Sequence, residues 1–393
     1  MSISIDTYCM ECQLRRNAAL ARSLGSEEKA TEFLRRWMAL ALALPVTAPS
    51  PCVGPATNEL LHEMYGLDLD RYRAEKEASN AFALANMDYV RRETEQAPDS
   101  VYAGLQFAIL GNYLDFSALG DKVSFDTLSG MLEKARDIRV DQGTYEKLCA
   151  DLEKGRKLLY LTDNAGEIGF DRIFAEQLQR KFSHLEITFC VRGGNAANDA
   201  TRADAAAVGL PFPVIDNGNL VAGTVLEQLS DEARQAMEQA DVILSKGMGN
   251  VETLLGCGKN IYYAFLVKCQ RFVNLMERPL MTPLLLRELD NKAARLDGGK
   301  ALLRPSLPYD DVLRQETFFL DLYISGRYAP EPMVPGCVCL ATSLSGTVLL
   351  HAEGQDFQLL ERDALRFAAD QPFWLENQFN GTARLLLTYR YLK

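Results

Sequence analysis

Membrane-spanning length is missing from this sequence: the longest apolar run, Trp37 to Val46, contains Pro45 and falls well short of the ~20 residues that cross a bilayer. It reads instead as part of a core helix. Asp6, Glu11, Arg15 and Arg16 interrupt the first residues, which therefore lack the apolar stretch of a secretory leader, and a cytoplasmic location is the expectation. A basic stripe is lacking too. With a net charge of −11 and a pI near 5.0, the chain offers no cluster of Lys and Arg to a phosphate backbone or an anionic surface, so neither nucleic acid nor membrane is expected as a partner. No Gly-x-Gly-x-x-Gly follows a strand, and there is no Walker Gly-x-x-x-x-Gly-Lys-Ser/Thr and no His-Glu-x-x-His. Dinucleotide, nucleotide-triphosphate and zinc-protease readings thus lose their usual signatures.

What is present is a chain of 393 residues with 48% hydrophobic content, enough for large cores and longer than one typical domain needs. Lys157 to Leu161 is a mostly apolar run of strand length, and Ile168, Phe170, Ile173, Phe174 and Leu178 recur at helical spacing. Between them lies Thr162-Asp-Asn-Ala-Gly-Glu167, a polar turn. In open α/β sheets ligands bind at the carboxyl ends of strands, where a helix N-terminus presents free N–H groups to an anion. Two further turns of this kind follow: Arg192-Gly-Gly-Asn-Ala-Ala-Asn198-Asp199-Ala-Thr201 after the strand Leu185 to Val191, and Ser245-Lys246-Gly-Met-Gly-Asn250-Val-Glu252 after Asp241 to Leu244.

Oxygens of Asp163, Asn164 and Asp199 would suit magnesium or manganese, which favour hard oxygen ligands. Lys246, in a glycine-containing turn, would place a compact positive charge on a phosphate. Taken singly, each residue has a plainer reading. Asp163 and Asn164, like Asp199, could cap the helices that follow, Lys246 could be a solvated loop lysine, and Glu167, Asp171 and Glu252 could be helix-surface carboxylates or support for the site. Arg192, Asn195 and Asn250 could donate to phosphate oxygens. Asn112 and Asp115 are placed on one helix at i, i+3, sharing a face, either reaching the pocket or fixing interdomain packing.

The set Asp163-Asn164-Ala-Gly166-Glu167 with Asp171, then Asn198-Asp199-Ala-Thr201, then Lys246-Gly-Met-Gly-Asn250-Val-Glu252, then Lys268-Cys269, resembles the damage-control phosphatase family, also catalogued as domain of unknown function 89. Cys9-Met-Glu-Cys12 and Gly111-Asn112-Tyr-Leu-Asp115-Phe116 are similar to its CxxC-bearing, mainly prokaryotic branch. The resemblance covers roughly the first three quarters of the chain. It implies a helical N-terminal region on an α/β domain and a metal-dependent phosphatase of small phosphorylated metabolites. Carried across, it gives metal ligation by Asp163, Asn164 and Asp199 and phosphate contact by Lys246, with Asn198, Asn250, Glu167, Arg192, Asn112 and Asp115 as substrate-side candidates. The cofactor expected is a divalent ion: manganese, magnesium, cobalt or nickel.

The nine cysteines, odd in number and scattered, fit a reducing compartment rather than a disulfide framework. Cys9 and Cys12 supply two thiolates in reach of one metal, and a tetrahedral site would need further ligands from Cys269, Cys52 or His62, with Cys269 favoured because the resemblance covers it. A structural metal, a redox pair and unligated thiols all remain open.

Residues 1–150 carry helical patterns, including Lys29 to Leu44, Asp68 to Glu95 and Val101 to Leu114, whereas 151–298 alternate strand and helix, the signature of a largely parallel, three-layer sheet. Arg287 to Leu307, with Asp297-Gly-Gly, Pro305 and the following Pro308, reads as a connection. Residues 299–393 then form a second domain. Phe318–Ile324, Val338–Leu344, Gly346–His351, Phe357–Leu360, Ala364–Ala368, Phe373–Asn377 and Ala383–Tyr391 are expected as short strands of a sandwich or small barrel. Its cadence around Gly346, Gly354 and Asp363 resembles a cupin half-barrel. Metal-binding cupins use several histidines and a glutamate, and here His351 alone is available. A ligand-binding, packing or oligomerisation module is expected, a homo-oligomer among the outcomes.

The reaction expected is metal-assisted hydrolysis of a phosphomonoester, sugar phosphates first, with Asp163 and Lys246 as the catalytic pair. Haloacid-dehalogenase phosphatases carry a second Asp two residues after their nucleophile, and Ala165 stands there, which favours an activated water over attack by Asp163 while leaving an aspartyl-phosphate open. A sugar-phosphate isomerase or phosphotransferase, or a metal-dependent metabolite-binding protein, are the alternatives.

Overall fold

A computed structural model describes residues 3–119, 124–289, 294–297, 300–310 and 312–392. The chain divides into two compact units, Met1–Leu289 and Asp290–Lys393. The expected boundary at 298 and 299 falls on Gly298 and Gly299, outside the described residues. No helix among the described residues is long and apolar enough to cross a membrane.

The first unit begins with helices α1 (Thr7–Leu24), α2 (Glu27–Ala43), α3 (Gly54–Tyr65), α4 (Arg73–Glu95), α5 (Ser100–Gly111), α6 (Phe116–Leu119), α7 (Phe125–Leu132) and α8 (Gln142–Lys154). Their starts are written in the sequence: Asp6, Ser26, Asp99, Ser124 and Asp141 each accept a bond from a first-turn N–H. Helix α5 is buried on every face, from Ala103 to Gly111 without a break. It packs against α9 (Glu167–Lys181), α4 and the sheet.

That sheet has six strands in the order β3-β2-β1-β4-β5-β6: β1 (Lys157–Leu161), β2 (Glu186–Val191), β3 (Val214–Asp216), β4 (Val242–Lys246), β5 (Ile261–Leu266) and β6 (Pro283–Arg287). The first five are parallel and β6 is antiparallel to β5. Helices α10 (Arg202–Ala207), α11 (Asp231–Gln239), α12 (Met248–Leu254) and α13 (Gln270–Met276) complete the unit. Central parallel strands are covered on both faces, which is why β1 divides its apolar side chains between two cores. Leu158 and Tyr160 join Leu105, Phe170 and Phe174 on one face, and Leu159 and Leu161 join Ile215, Met237 and Phe272 on the other. The order reverses between β1 and β4, and that is where an open α/β sheet leaves a crevice beyond its strand ends.

The second unit is all-β, as expected. One sheet has the order β10-β15-β12-β13 and the other β14-β11-β16-β9-β8-β7, from β7 (Ala294–Leu296), β8 (Ala301–Asp310), β9 (Gln315–Leu322), β10 (Arg327–Tyr328), β11 (Cys337–Ser345), β12 (Val348–Ala352), β13 (Gln355–Leu359), β14 (Ala364–Ala368), β15 (Trp374–Asn377) and β16 (Ala383–Tyr391). All its pairings are antiparallel. Inward residues alternate along β11 and β16, giving the core of Cys339, Ala341, Leu385 and Leu387 with Leu350 and Leu375 opposite. Residues 287–307 are corrected here: part of the expected connection is strand. β8 runs through Pro305, and its pairing with β9 slips register after Pro305 and again after Leu307. Proline is tolerated at such bulges.

Candidate functional site

Strands β2, β1 and β4 are neighbours, so the three polar turns meet at one end of the sheet, at the switch point. The backbone stitches the first two together. Ala165 N donates to Asn198 O at 2.9 Å, Ala200 N to Asp163 O at 2.7 Å, and Asn164 bridges Asp199. This sets Asp163-Asn164 beside Asn198-Asp199. The turn from β1 into α9 closes at Gly166, at φ 77°, where a Cβ would collide with the Ser79 backbone on α4. Gly247, at φ 79° after β4, lies against the Asp163 carboxylate so closely that no side chain fits. Glycine at both positions is what brings the turns this near.

The side chains form one buried network. Asp163 Oδ2 accepts from Asn112 Nδ2 and Asn164 Nδ2, each at 2.8 Å. Asn112 and Asn164 donate also to Glu167, and Asn198 donates to Asn164 Oδ1 at 2.9 Å and to Leu114 O. Arg192 donates from Nε to Asp199 at 2.6 Å and from Nη1 to Thr224, while its buried Nη2 has no hydrogen-bond partner and lies 3.9 Å from Asp163 Oδ1. Lys268, just past β5, donates to Asp115 at 2.7 Å.

Several expected roles change. Lys246 is the last residue of β4 rather than part of a turn, is 0% exposed, and spends its three hydrogens on Ala108 O, Glu167 and Asp171 at 2.7, 2.7 and 2.9 Å. It neutralises buried carboxylates and has no hydrogen left for a phosphate. Asn250 is likewise committed, giving its amide to Thr162 O and Lys246 O and accepting from Thr224. Asn112 and Asp115 do not share a helix. α5 ends at Gly111, Asn112 follows as its C-cap, and Asp115 accepts from Ala118 N at the start of α6. Both nevertheless reach the cluster. Glu167 and Asp171 are fully buried rather than on a helix surface, Asp171 taking the Tyr160 hydroxyl at 2.6 Å. Asn195 is exposed.

The cluster concentrates buried negative charge. Five carboxylates, of Asp115, Asp163, Glu167, Asp171 and Asp199, face three cations, of Arg192, Lys246 and Lys268, which leaves the fully ionised cluster two charges short of neutrality. Burial, with Glu167 and Asp199 nearby, pushes the Asp163 carboxyl far above the usual range. Burial lifts Asp199 to about 6 against the pull of Arg192, and lifts Asp171 to about 7 against that of Lys246. Burial alone would lower the Lys246 ammonium, but Asp171 and Glu167 hold it above its ordinary value. Oxygens of Asp163, Asn164 and Asp199, side by side in such a deficit, fit a hard divalent ion. Among the described residues no group of three or more His, Cys, Asp or Glu is placed to hold a metal, so this set depends on the amide of Asn164.

The same finding bears on Cys9, Cys12 and Cys269, which are not gathered into a metal site. Arg271 donates to Cys9 Sγ and to Glu252, and pairs with Asp6, while burial holds the Cys9 thiol up at about 11. The sequence reading missed Lys268 as a site cation, as well as Thr224 and Asn80. Asn80 Oδ1 accepts Gly166 N and its amide donates to Asp204, tying α4 to both ligand turns. Lys268 had a signal, since it follows an apolar run, Ile261 to Val267, as the other turns do.

Comparison with known proteins gives the family. Residues 5–282 match the model of the damage-control phosphatase ARMT1-like domain. A damage-control phosphatase of Archaeoglobus fulgidus is 31% identical over 214 residues, covering 53% of this chain and 73% of the relative. An uncharacterized protein, MJ0202 of Methanocaldococcus jannaschii, is 35% identical over 216 residues, 51% of this chain and 68% of the relative. The crystal structure of a DUF89 family protein, PH1575 of Pyrococcus horikoshii, superposes with a TM-score of 0.62 at 25% identity, covering 73% of this chain and 99% of that one. A family match over 5–282 takes in the whole polar network from Asn112 to Lys268, and the chain belongs to the damage-control phosphatase ARMT1-like family.

Proposed function

We propose that the chain is a metal-dependent phosphatase of small phosphomonoesters, sugar phosphates among them. The observation that carries this reading is the buried carboxylate cluster at the switch point, two charges short of neutrality and bordered by cations. Asp163, Asn164 and Asp199 would hold the divalent ion, which when bound supplies charge neutralisation at the phosphoryl group and acidity to water. Arg192 is held by Asp199 and Thr224 with Nη2 3.9 Å from Asp163 Oδ1, and would lend its positive charge to the phosphoryl group. Lys268 supplies a second positive charge, and it takes over the phosphate role that Lys246 has no free hydrogen to fill. Lys246 and Asn112 instead keep Glu167 and Asp163 in place. Asn112 fixes one Asp163 oxygen and reads the Leu266 N–H through its own Oδ1 at 3.1 Å, coupling β1 to β5.

Phosphate release from sugar phosphates, nucleotides and an aryl phosphate, with manganese, magnesium, cobalt, nickel or chelator, tests this for wild type and Asp163→Ala. The expected result is metal-dependent release that collapses in the variant. A folded, metal-supplemented protein that releases phosphate from none of them contradicts the reading.

A further inference from the structure

Beside the site, the first unit holds a half-open cavity of about 960 Å³ lined by α1, α3, the Arg71-Tyr72 turn and the segments of Phe116 and Ala197. Phe116 follows Asp115 and Ala197 precedes Asn198-Asp199, so the cavity reaches the segments that carry the acidic cluster. Its character is the opposite of the cluster's. The charged residues lining it are Arg16, Arg71 and Glu75, a positive balance in a chain of net charge −11.

Arg71 is the informative one. Its guanidinium lies 5.0 Å over the Tyr72 ring, and its Nε is buried with no hydrogen-bond partner. A buried N–H without an acceptor is costly and rare in native proteins. The Tyr72 ring lies beneath the planar fork, and Arg71 lines the cavity with no side-chain hydrogen bond or ion pair among the described residues, so a carboxylate or phosphate entering there would meet an uncommitted guanidinium.

We propose that Arg71 binds a second anionic group of the substrate, so that the preferred phosphomonoester carries a carboxylate or second phosphate remote from the ester that is cleaved. The proposal rests on the phosphatase reading for the first phosphate, at the Asp163 cluster. Arg16 adds to the positive field of the same cavity, and the two arginines outweigh the single carboxylate of Glu75 there.

The test compares a sugar bisphosphate, a phosphorylated sugar acid and the neutral sugar monophosphate, by kcat/KM and by calorimetric binding of their non-hydrolysable phosphonates, in wild type, Arg71→Leu and Arg71→Gln. A charge-assisted bond in this half-open pocket should favour the two-anion compounds by roughly tenfold, a preference lost in both variants while the neutral-sugar compound changes by less than about twofold. The bisphosphate and the sugar acid separate phosphate from carboxylate as the group recognised. Turnover of all three with no preference, unchanged by Arg71→Leu, overturns the inference and leaves the phosphatase standing. Absence of turnover with the binding preference intact and Arg71-dependent overturns the phosphatase and leaves the anion site standing. The wild-type ranking decides even where a variant fails to fold.

Discussion

The two units bury polar groups to different ends. In the second, the core is hydrocarbon, with Leu320, Leu322, Leu350, Leu375, Leu385 and Leu387 at 0% exposure. Its buried Asp321 is matched by two arginines, Arg304 and Arg384, that keep part of their surface in solvent. In the first unit, Asp163, Glu167, Asp171 and Asp199 lie together in the interior, with too few cations to balance them. Burying charge loses more solvation than most pairs recover. An antiparallel sandwich shows how little of it a stable fold requires, so the cluster at the switch point is stability given up for chemistry.

Four changes would break or sharpen that contrast. The largest effect is expected for Asp163→Ala, which should lower metal-dependent phosphate release by a thousandfold or more, since several kcal/mol of transition-state stabilisation goes with the ion and each ~1.4 kcal/mol is tenfold. Lys246→Met should leave Glu167 and Asp171 without their buried cation and destabilise the first unit by about 3–5 kcal/mol, read by urea unfolding. Leu385→Ala, a cavity in the second unit, should cost about 2–5 kcal/mol in that unit's own transition, with phosphate release unchanged below it. His351→Ala should be the mildest. It removes a ring stacked on Trp374 and a bond to Asp356 at the surface, worth under about 1 kcal/mol, and no activity.

The contrast also has a pH signature. Burial raises the carboxyls of Asp199 to about 6 and Glu252 to about 7, so the folded chain holds protons that the unfolded chain has released. Their contribution to stability is complete below the ordinary carboxyl pKa near 4 and is lost as pH rises through 6 to 7. Chelator-treated protein should therefore melt higher at pH 5 than at pH 8 in scanning calorimetry, with divalent ion restoring stability at pH 8.

How much of this the sequence made legible follows from what sequence patterns encode. The strand, turn and helix over 157–178 were readable because apolar period and turn residues are local signals, and so were Ala364–Ala368 and Ala383–Tyr391, observed with those bounds. Asp163, Asn164 and Asp199 came together because each ends or follows a neighbouring strand. Lys246 was misread because the glycine after it suggests a loop, whereas its depth depends on Glu167 and Asp171, which belong to another element. Asn112 and Asp115 were misread because apolar residues continue through Leu114 while the helix stops at Gly111. β8 was hidden by its prolines, which a strand accommodates where its register slips, as it does here after Pro305 and after Leu307. Arg71 fell inside the helical pattern read over Asp68 to Glu95, whereas α4 begins only at Arg73, so its turn was not told apart from the helix.

The most direct test of the central claim is a calorimetric titration of manganese into chelator-stripped protein. One site should appear, with protons released as the raised carboxyls of Asp163 and Asp199 ionise, and it should vanish in Asp163→Ala and Asp199→Ala. Absence of binding in the folded wild type, or binding that survives both substitutions, would contradict the account.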